Sequence, residues 1–211
     1  MIRTLIFVLA MLALHGCATL EGRATQFHTL DSLPRSFVVV PTSEQVESLE
    51  FLSYAKLVRE HLIAHGWRHA APETADVAIF LQYQISQGRN VVFSYPIFGQ
   101  VPTGSSTTTG SVSTFGSMAT FNINTLQNAT TGIVGSGTGN RVEYDRALQV
   151  TMYSLASLRE NKKPERIYEA TIRSSGQTGD LSAVVPVLIR GLFQEFPGES
   201  GASRKVSVTV K

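Results

Sequence analysis

The sequence predicts an α+β fold: a two-layer sandwich in which an antiparallel-rich sheet carries two helices on one face, with a long uncharged insertion between strands. Three observations carry this expectation. Two segments repeat apolar residues at helical spacing, each leaving one apolar stripe. Other segments alternate apolar and polar residues with the period of a half-buried strand. The patterns follow one another as strand, helix, strand, insertion, two strands, helix and a further strand, so both stripes have a sheet face to cover.

Taken in order, SFVVVP (Ser36 to Pro41) is a short β-branched run that predicts a buried strand. Thr42 and Gln45 have the spacing of a capping box, which satisfies free amides at a helix start. The helix expected beyond them places Val46, Leu49, Leu52, Ala55, Val58 and Leu62 on one stripe and ends at Gly66. Ala75 to Ser86 alternates, with Val77, Ile79, Leu81, Tyr83 and Ile85 on one face. Ala78 and Phe80 stand among the polar residues of its other face. Arg141 to Leu158 alternates over a greater length, with Val142, Tyr144, Leu148, Val150, Met152, Ala156 and Leu158 together. A polar turn, Arg159 to Glu165, leads to a returning strand with Tyr168, Ala170 and Ile172 on one side, so the two read as an antiparallel hairpin. Asp180 to Phe196 is the clearest helix, with Leu181, Val184, Val185, Leu188, Ile189, Leu192, Phe193 and Phe196 in phase and Pro186 inside it. Pro197-Gly198 stops it, and Lys205 to Val210 alternates once more as a last strand.

Three short motifs stand on this frame: Gly66-Trp67 after the first helix, Ala75-Asp76 opening a strand, and Phe196-Pro197 closing the last helix. Together with YAKLVREHLIAHGW and ADVAIFLQYQIS they resemble the small bacterial lipoproteins grouped as domain of unknown function 4136. The resemblance covers most of the chain outside the middle insertion. Its motifs mark structure, and it brings no catalytic residues.

The N-terminus reads as a signal peptide over residues 1–16: Arg3, then an uncharged apolar run from Thr4 to Leu14, too short to span a bilayer, which needs about 20 apolar residues. LHGC, Leu14 to Cys17, resembles the lipobox of bacterial lipoproteins, with His15 a departure from the small or apolar residue usual there. That resemblance implies acylation of Cys17, the single cysteine of the chain, and removal of the segment before it. Each buried methylene contributes about 0.8 kcal/mol, so two or three chains anchor durably. The alternative is a secreted chain with an incidental cysteine. Ala18 follows Cys17 where an Asp would resemble an inner-membrane retention signal, which favours the outer membrane, facing the periplasm, in a Gram-negative source. Residues 17–34 read as a lipidated tether and 35–211 as one α+β domain, with its Ser/Thr/Gly-rich insertion at about 98–140.

From Asn90 to Asn140 there is no Lys, Arg, Asp, Glu or His, which is not the composition of an ordinary disordered linker. Phe121 and Ile123 alternate locally with Asn and Thr. Three readings stay open: a surface loop or wandering hairpin, a β-segment that pairs with another chain, and a hairpin that enters the outer membrane when copies assemble.

Chemistry is sparse elsewhere. A net charge of +2 over 211 residues leaves no footprint for nucleic acid. His61, His65 and His69 are spaced four apart, as metal ligands on one helix would be, but Gly66 interrupts that helix and no HExxH pattern supports a site. Histidines at a helix C-terminus, where positive charge is favourable, are the plainer reading. GSGTGN, Gly135 to Asn140, precedes a strand and lacks a phosphate-loop lysine, and no GxSxG elbow is present. The expectation is a non-enzymatic, lipid-anchored envelope protein with a binding or scaffolding role, no metal and no cofactor. Its partners would be the membrane, through the lipid, and an envelope protein or further copies of itself. The alternative is an oligomeric outer-membrane assembly or secretion component whose segment 90–140 forms intermolecular or membrane-inserted hairpins.

Overall fold

A computed structural model of the chain describes residues 19–30, 35–115 and 118–209. In chain order the elements are β1 (Thr19–His28), β2 (Ser36–Val39), α1 (Leu49–Ala64), β3 (Arg68–His69), β4 (Val77–Ile85), β5 (Arg89–Phe115), β6 (Met118–Ser154), α2 (Leu155–Asn161), β7 (Glu165–Gly176), α3 (Leu181–Phe193) and β8 (Ser203–Thr209). The fold is mixed α+β, and among the described residues the eight strands form one open sheet in the order β3-β2-β4-β6-β7-β1-β8, with β5 paired to β6. β2 runs parallel to β3 and β4, while β4–β6, β6–β7, β7–β1 and β1–β8 are antiparallel. By its contacts the chain divides into two compact units: a body, up to Arg89 and from Val142 onward, and a ribbon, Asn90–Arg141.

β1 corrects the tether expected over residues 17–34. Thr19–His28 lies inside the sheet, paired from Arg23↔Arg173 to His28↔Tyr168 on one side and from Thr19↔Thr209 to Thr25↔Ser203 on the other. The inward positions of this strand hold Leu20, Gly22, Ala24 and Gln26. Only Leu20 and Ala24 are apolar, and Gln26 is buried with them, so the strand carries almost no hydrophobic period.

α1 begins later than the sequence predicts. Thr42 and Gln45 do pair, the Gln45 Oε1 accepting the Thr42 N–H at 3.1 Å, but they close a turn before the helix. The cap is Ser48, whose Oγ accepts the Phe51 N–H at 3.1 Å. From that start the buried stripe is Phe51, Tyr54, Ala55, Val58 and Leu62. Val46, Leu49 and Leu52 are 63%, 82% and 56% exposed, because Val46 precedes the helix and the two leucines fall out of phase with the aromatic pair. Gly66 ends the helix at φ 84°, a conformation that favours glycine.

β4 holds the expected alternation, with Val77, Ile79 and Leu81 fully buried, and it pairs with β6 from Val77↔Ser154 to Ile85↔Arg146. The β6–β7 hairpin forms as expected, with Leu148 opposite Ile172 and Val150 opposite Ala170. The first strand of that hairpin stops sooner than expected. Ser154 caps α2, its Oγ accepting the Ser157 N–H at 3.2 Å, so Ala156 and Leu158 lie on a short helix rather than a strand face. α3 starts at Asp180, which accepts the Ser182 N–H at 2.8 Å, and buries Val184, Val185, Leu188, Ile189, Leu192 and Phe193. At Gly191 a Cβ would come within 2.7 Å of Val206, so a hydrogen at this site lets α3 approach β8. α1 and α3 share one core with the inner residues of the sheet.

The three sequence motifs have structural tasks. Trp67 and Phe196 meet at 5.7 Å between ring centroids, and Phe196 also touches Tyr168 (5.3 Å) and Phe193 (5.4 Å). Ala75 is fully buried, and Asp76 ties β4 to β2. Its carboxylate accepts the Ser36 N–H at 3.0 Å and the Ser36 hydroxyl at 2.5 Å, while its own N–H donates to the Ser36 Oγ at 3.0 Å. The hydroxyl and amide donors of Ser36 lower the Asp76 pKa.

Two predictions follow from this frame. Asp76→Ala removes the charge-assisted bonds to Ser36 and should cost about 1 kcal/mol in urea unfolding at neutral pH, an exposed carboxylate contributing less than a buried one. Because the folded-state pKa is depressed, this stability is present above the unfolded value near about pH 4 and is lost as pH falls through the lower folded value. The difference between wild type and variant should therefore close in acid; a gap that persists there would exclude the carboxylate as its source. Second, replacing residues 99–134 with a short Gly/Ser turn should leave one cooperative thermal transition, since these residues belong to the ribbon unit. Loop length alone changes stability by about 1 kcal/mol. Loss of the transition would show that the body depends on the ribbon.

Candidate functional site

The sheet face away from the shared core of α1 and α3 offers a groove of about 460 Å³. β4 places Ala78, Phe80 and Gln82 there, and β6 places Gln149, Thr151 and Tyr153. Leu155 and Leu158 of α2 and Pro164 after it line the groove too. Phe80 meets Tyr153 edge-on at 5.7 Å. The register between β6 and β7 slips at this point: Met152 pairs with Tyr168 but Tyr153 with Arg166, which leaves Ile167 as the extra residue. The bulge puts the Arg166 guanidinium 5.7 Å from the centre of the Tyr153 ring, with a 3.3 Å bond to its hydroxyl. Arg166 also donates to Glu169 at 2.5 Å, and the second oxygen of Glu169 accepts the Gln149 side-chain amide at 2.8 Å.

This arrangement has apolar rings beside a cation, a carboxylate and amides. Both Glu169 oxygens are engaged, one by Arg166 and one by Gln149. The groove is suited to holding an apolar or amide-bearing group over Phe80 and Tyr153. Sequence reasoning did not assign it. The available signal was Ala78 and Phe80, two apolar residues on the polar face of a strand; with Val38 and Ala75 they belong to a second, smaller apolar cluster.

The three histidines proposed as weak metal candidates are not brought together. His61 stacks on Phe193 at 5.6 Å, and burial, followed by the charge of His65, lowers its pKa. The His65 ring bonds the His61 carbonyl through Nδ1 at 2.8 Å and lies edge-on to Phe196. His69 lies edge-on to Phe37 at 5.8 Å. Among the described residues no group of three His, Cys, Asp or Glu side chains is placed to hold a metal ion. Cys17 and the signal peptide expected over 1–16 lie outside the described residues.

The uncharged segment is a paired ribbon. Near its base Phe93 covers Gly139 and Tyr95 covers Gly137, with the Arg141 guanidinium 5.4 Å from the centre of the Phe93 ring. Farther out Val134 sits over Gly99 and Val101 over Gly132. Beyond these the cross-strand contacts are polar. Thr103 bonds the Asn128 carbonyl at 2.9 Å, the Asn128 amide reaches Ser105 at 3.2 Å, and Thr108 and Thr125 bond through their hydroxyls at 3.2 Å. Val92, Phe98, Val112, Ile123, Leu126 and Ile133 are exposed. Across this segment β5 pairs with β6.

A crystal structure of a PDZ domain protein from Parabacteroides distasonis ATCC 8503 is similar at 13% identity and a TM-score of 0.44, over 96% of this chain and 42% of that one. The chain thus spans less than half the length of that protein. No curated protein matches. A family model, Domain of unknown function (DUF4136), matches residues 24–198, from within β1 to the glycine after Phe196-Pro197, and on that match the chain belongs to this family.

Proposed function

We propose that this chain is a lipid-anchored protein of the cell envelope, acylated at Cys17, seated on the outer membrane and facing the periplasm, with a binding or scaffolding role and no catalysis. In this reading the body is a two-layer sandwich whose helical layer closes the core and whose open sheet face does the binding. The supporting observation is the distance along the chain from the lipobox-like LHGC to the fold. Cys17 is two residues before Thr19, the first residue of β1. At about 3.5 Å per residue, two residues reach about 7 Å, where a free tether over 18–34 would have reached about 60 Å. A lipid on Cys17 would therefore hold the sheet against the bilayer surface by the end of β1, and the body would act as a fixed platform rather than a tethered one. Among the described residues no helix is long and apolar enough to cross a membrane.

The scaffold role draws on the groove chemistry: rings, amides and one guanidinium, all suited to contact. The test is metabolic labelling with palmitate followed by membrane fractionation. Wild type should incorporate label and stay with membranes through high-salt and carbonate washes. Cys17→Ser should take up no label and appear in the soluble fraction or as unprocessed precursor. A Ser variant that is processed and still resists both washes would rule out the lipid as the anchor.

A further inference from the structure

We propose that copies of this chain assemble through their ribbons, the β5 edge of one copy pairing with the β6 edge of the next, in a closed ring whose ribbons form a β-barrel. This goes beyond the anchored-scaffold reading and does not rest on it.

The ribbon is an incomplete sheet. β5 is 27 residues long and its partner is β6. The pairs of β6 with β4 and β7 begin only at Arg146 and Tyr144, so between residues 118 and 141 its partner is β5. Among the described residues, two long edges of backbone N–H and C=O groups are thus left to find partners. An isolated two-stranded ribbon is marginal in water, and native proteins blunt such edges with Lys, inward charges or Pro. From Asn90 to Asn140 there is no charged side chain. Pro96 and Pro102 lie within β5, and no Pro follows until Pro164. The stretch beyond Pro102 therefore has neither form of edge protection.

The faces of that stretch differ. Strand alternation, fixed by the contacts of Ser105 with Asn128, places Thr103, Ser105, Thr107, Thr109, Asn124 and Asn128 together, with the exposed Leu126 among them. Val112, Ile123, Ala129 and Ile133 fall on the other face, with Thr108, Thr125 and Gln127 between them. A closed barrel gives these faces separate places: hydroxyls and amides line a wet interior, and the mixed face turns outward.

The chemistry of the edges selects a second copy as the partner. With no charge between Asn90 and Asn140, that stretch has no ion pair to offer a charged protein, and like copies meet there without repulsion. Hairpins set side by side continue an antiparallel sheet, each contributing one edge and accepting one. Such a head-to-tail contact closes into a ring when the rotation per copy allows.

The test uses the full chain, taken from whole cells into mild detergent whichever fraction it occupies, and examined by native mass spectrometry and light scattering. Wild type should give one discrete multimer. Thr107→Lys with Asn124→Lys sets lysines on both edge strands, so that a closed ring would gather the like charges of every copy on its inner face, and should raise the concentration for half-assembly at least tenfold while leaving the body's thermal transition in place. The neutral pair Thr107→Ser with Asn124→Gln should assemble as wild type. Cys17→Ser should assemble as well, so failure of anchoring and failure of assembly are read separately. A monomeric wild type, a monomer bound to a different protein, an open-ended series of masses, or a multimer indifferent to the Lys pair would each overturn the proposal.

Discussion

Trp67 and Phe196 are far apart in the chain and in contact in the fold, and much of the body converges on them. Trp67 follows the end of α1, Phe196 follows the end of α3, and Tyr168 of β7, Phe193 of α3 and Phe37 of β2 close around the pair. Aromatic residues bury more area than any others, so a cluster of five sets where both helix ends can stop relative to the sheet. Gly66 turns the chain at the end of α1 and brings Trp67 into this cluster. The family motifs Gly-Trp and Phe-Pro thus mark two sides of one contact. Asp76 adds the remaining fixed point, holding β4 to β2 at the edge of the sheet through Ser36.

With one sheet face committed to that core, the opposite face is released from packing. There β4, β6 and β7 present polar residues alongside Ala78, Phe80, Ala147 and Tyr153, and the bulge at Ile167 directs Arg166 onto Tyr153. The ribbon goes further from the packing rules of the body. It is held by cross-strand pairs of a large side chain over glycine near its base and by hydroxyl and amide bonds farther out. Such pairs contribute some tenths of a kcal/mol each, far less than a buried side chain. A ribbon built this way has its backbone edges as its main unmet interaction.

The parts of the fold legible in the sequence are those in which one hydrophobic period decides the element. α3, β4 and the β6–β7 hairpin are of this kind, since their apolar residues are the buried ones. β1 was not legible, because Gly22 and Gln26 occupy two of its inward positions and erase the alternation. The phase of α1 was missed because the exposed Val46 extends the apparent stripe ahead of the cap at Ser48, and the exposed Leu49 and Leu52 continue it within the helix out of phase with Phe51 and Tyr54. α2 was hidden because Ala156 and Leu158 continue the period of β6 after Ser154 has already capped a helix. The groove left only the misplaced Ala78 and Phe80 as a trace, since Arg166 reaches it through a bulge that no spacing rule announces. The ribbon was visible as a composition, with its pairing unresolved among three readings.

The central claim is that the body is complete in itself while the ribbon is completed by other copies. Hydrogen exchange read by mass spectrometry, on the detergent-extracted chain above and below its assembly concentration, tests this most directly. Backbone amides of residues 103–112 and 122–131 should be protected as strongly as those of α3 and β7 in the assembled sample. On dilution, ribbon protection should fall by orders of magnitude while α3 and β7 hold theirs. Ribbon amides that exchange rapidly in both samples, or that stay protected in the separated chain, would contradict the account.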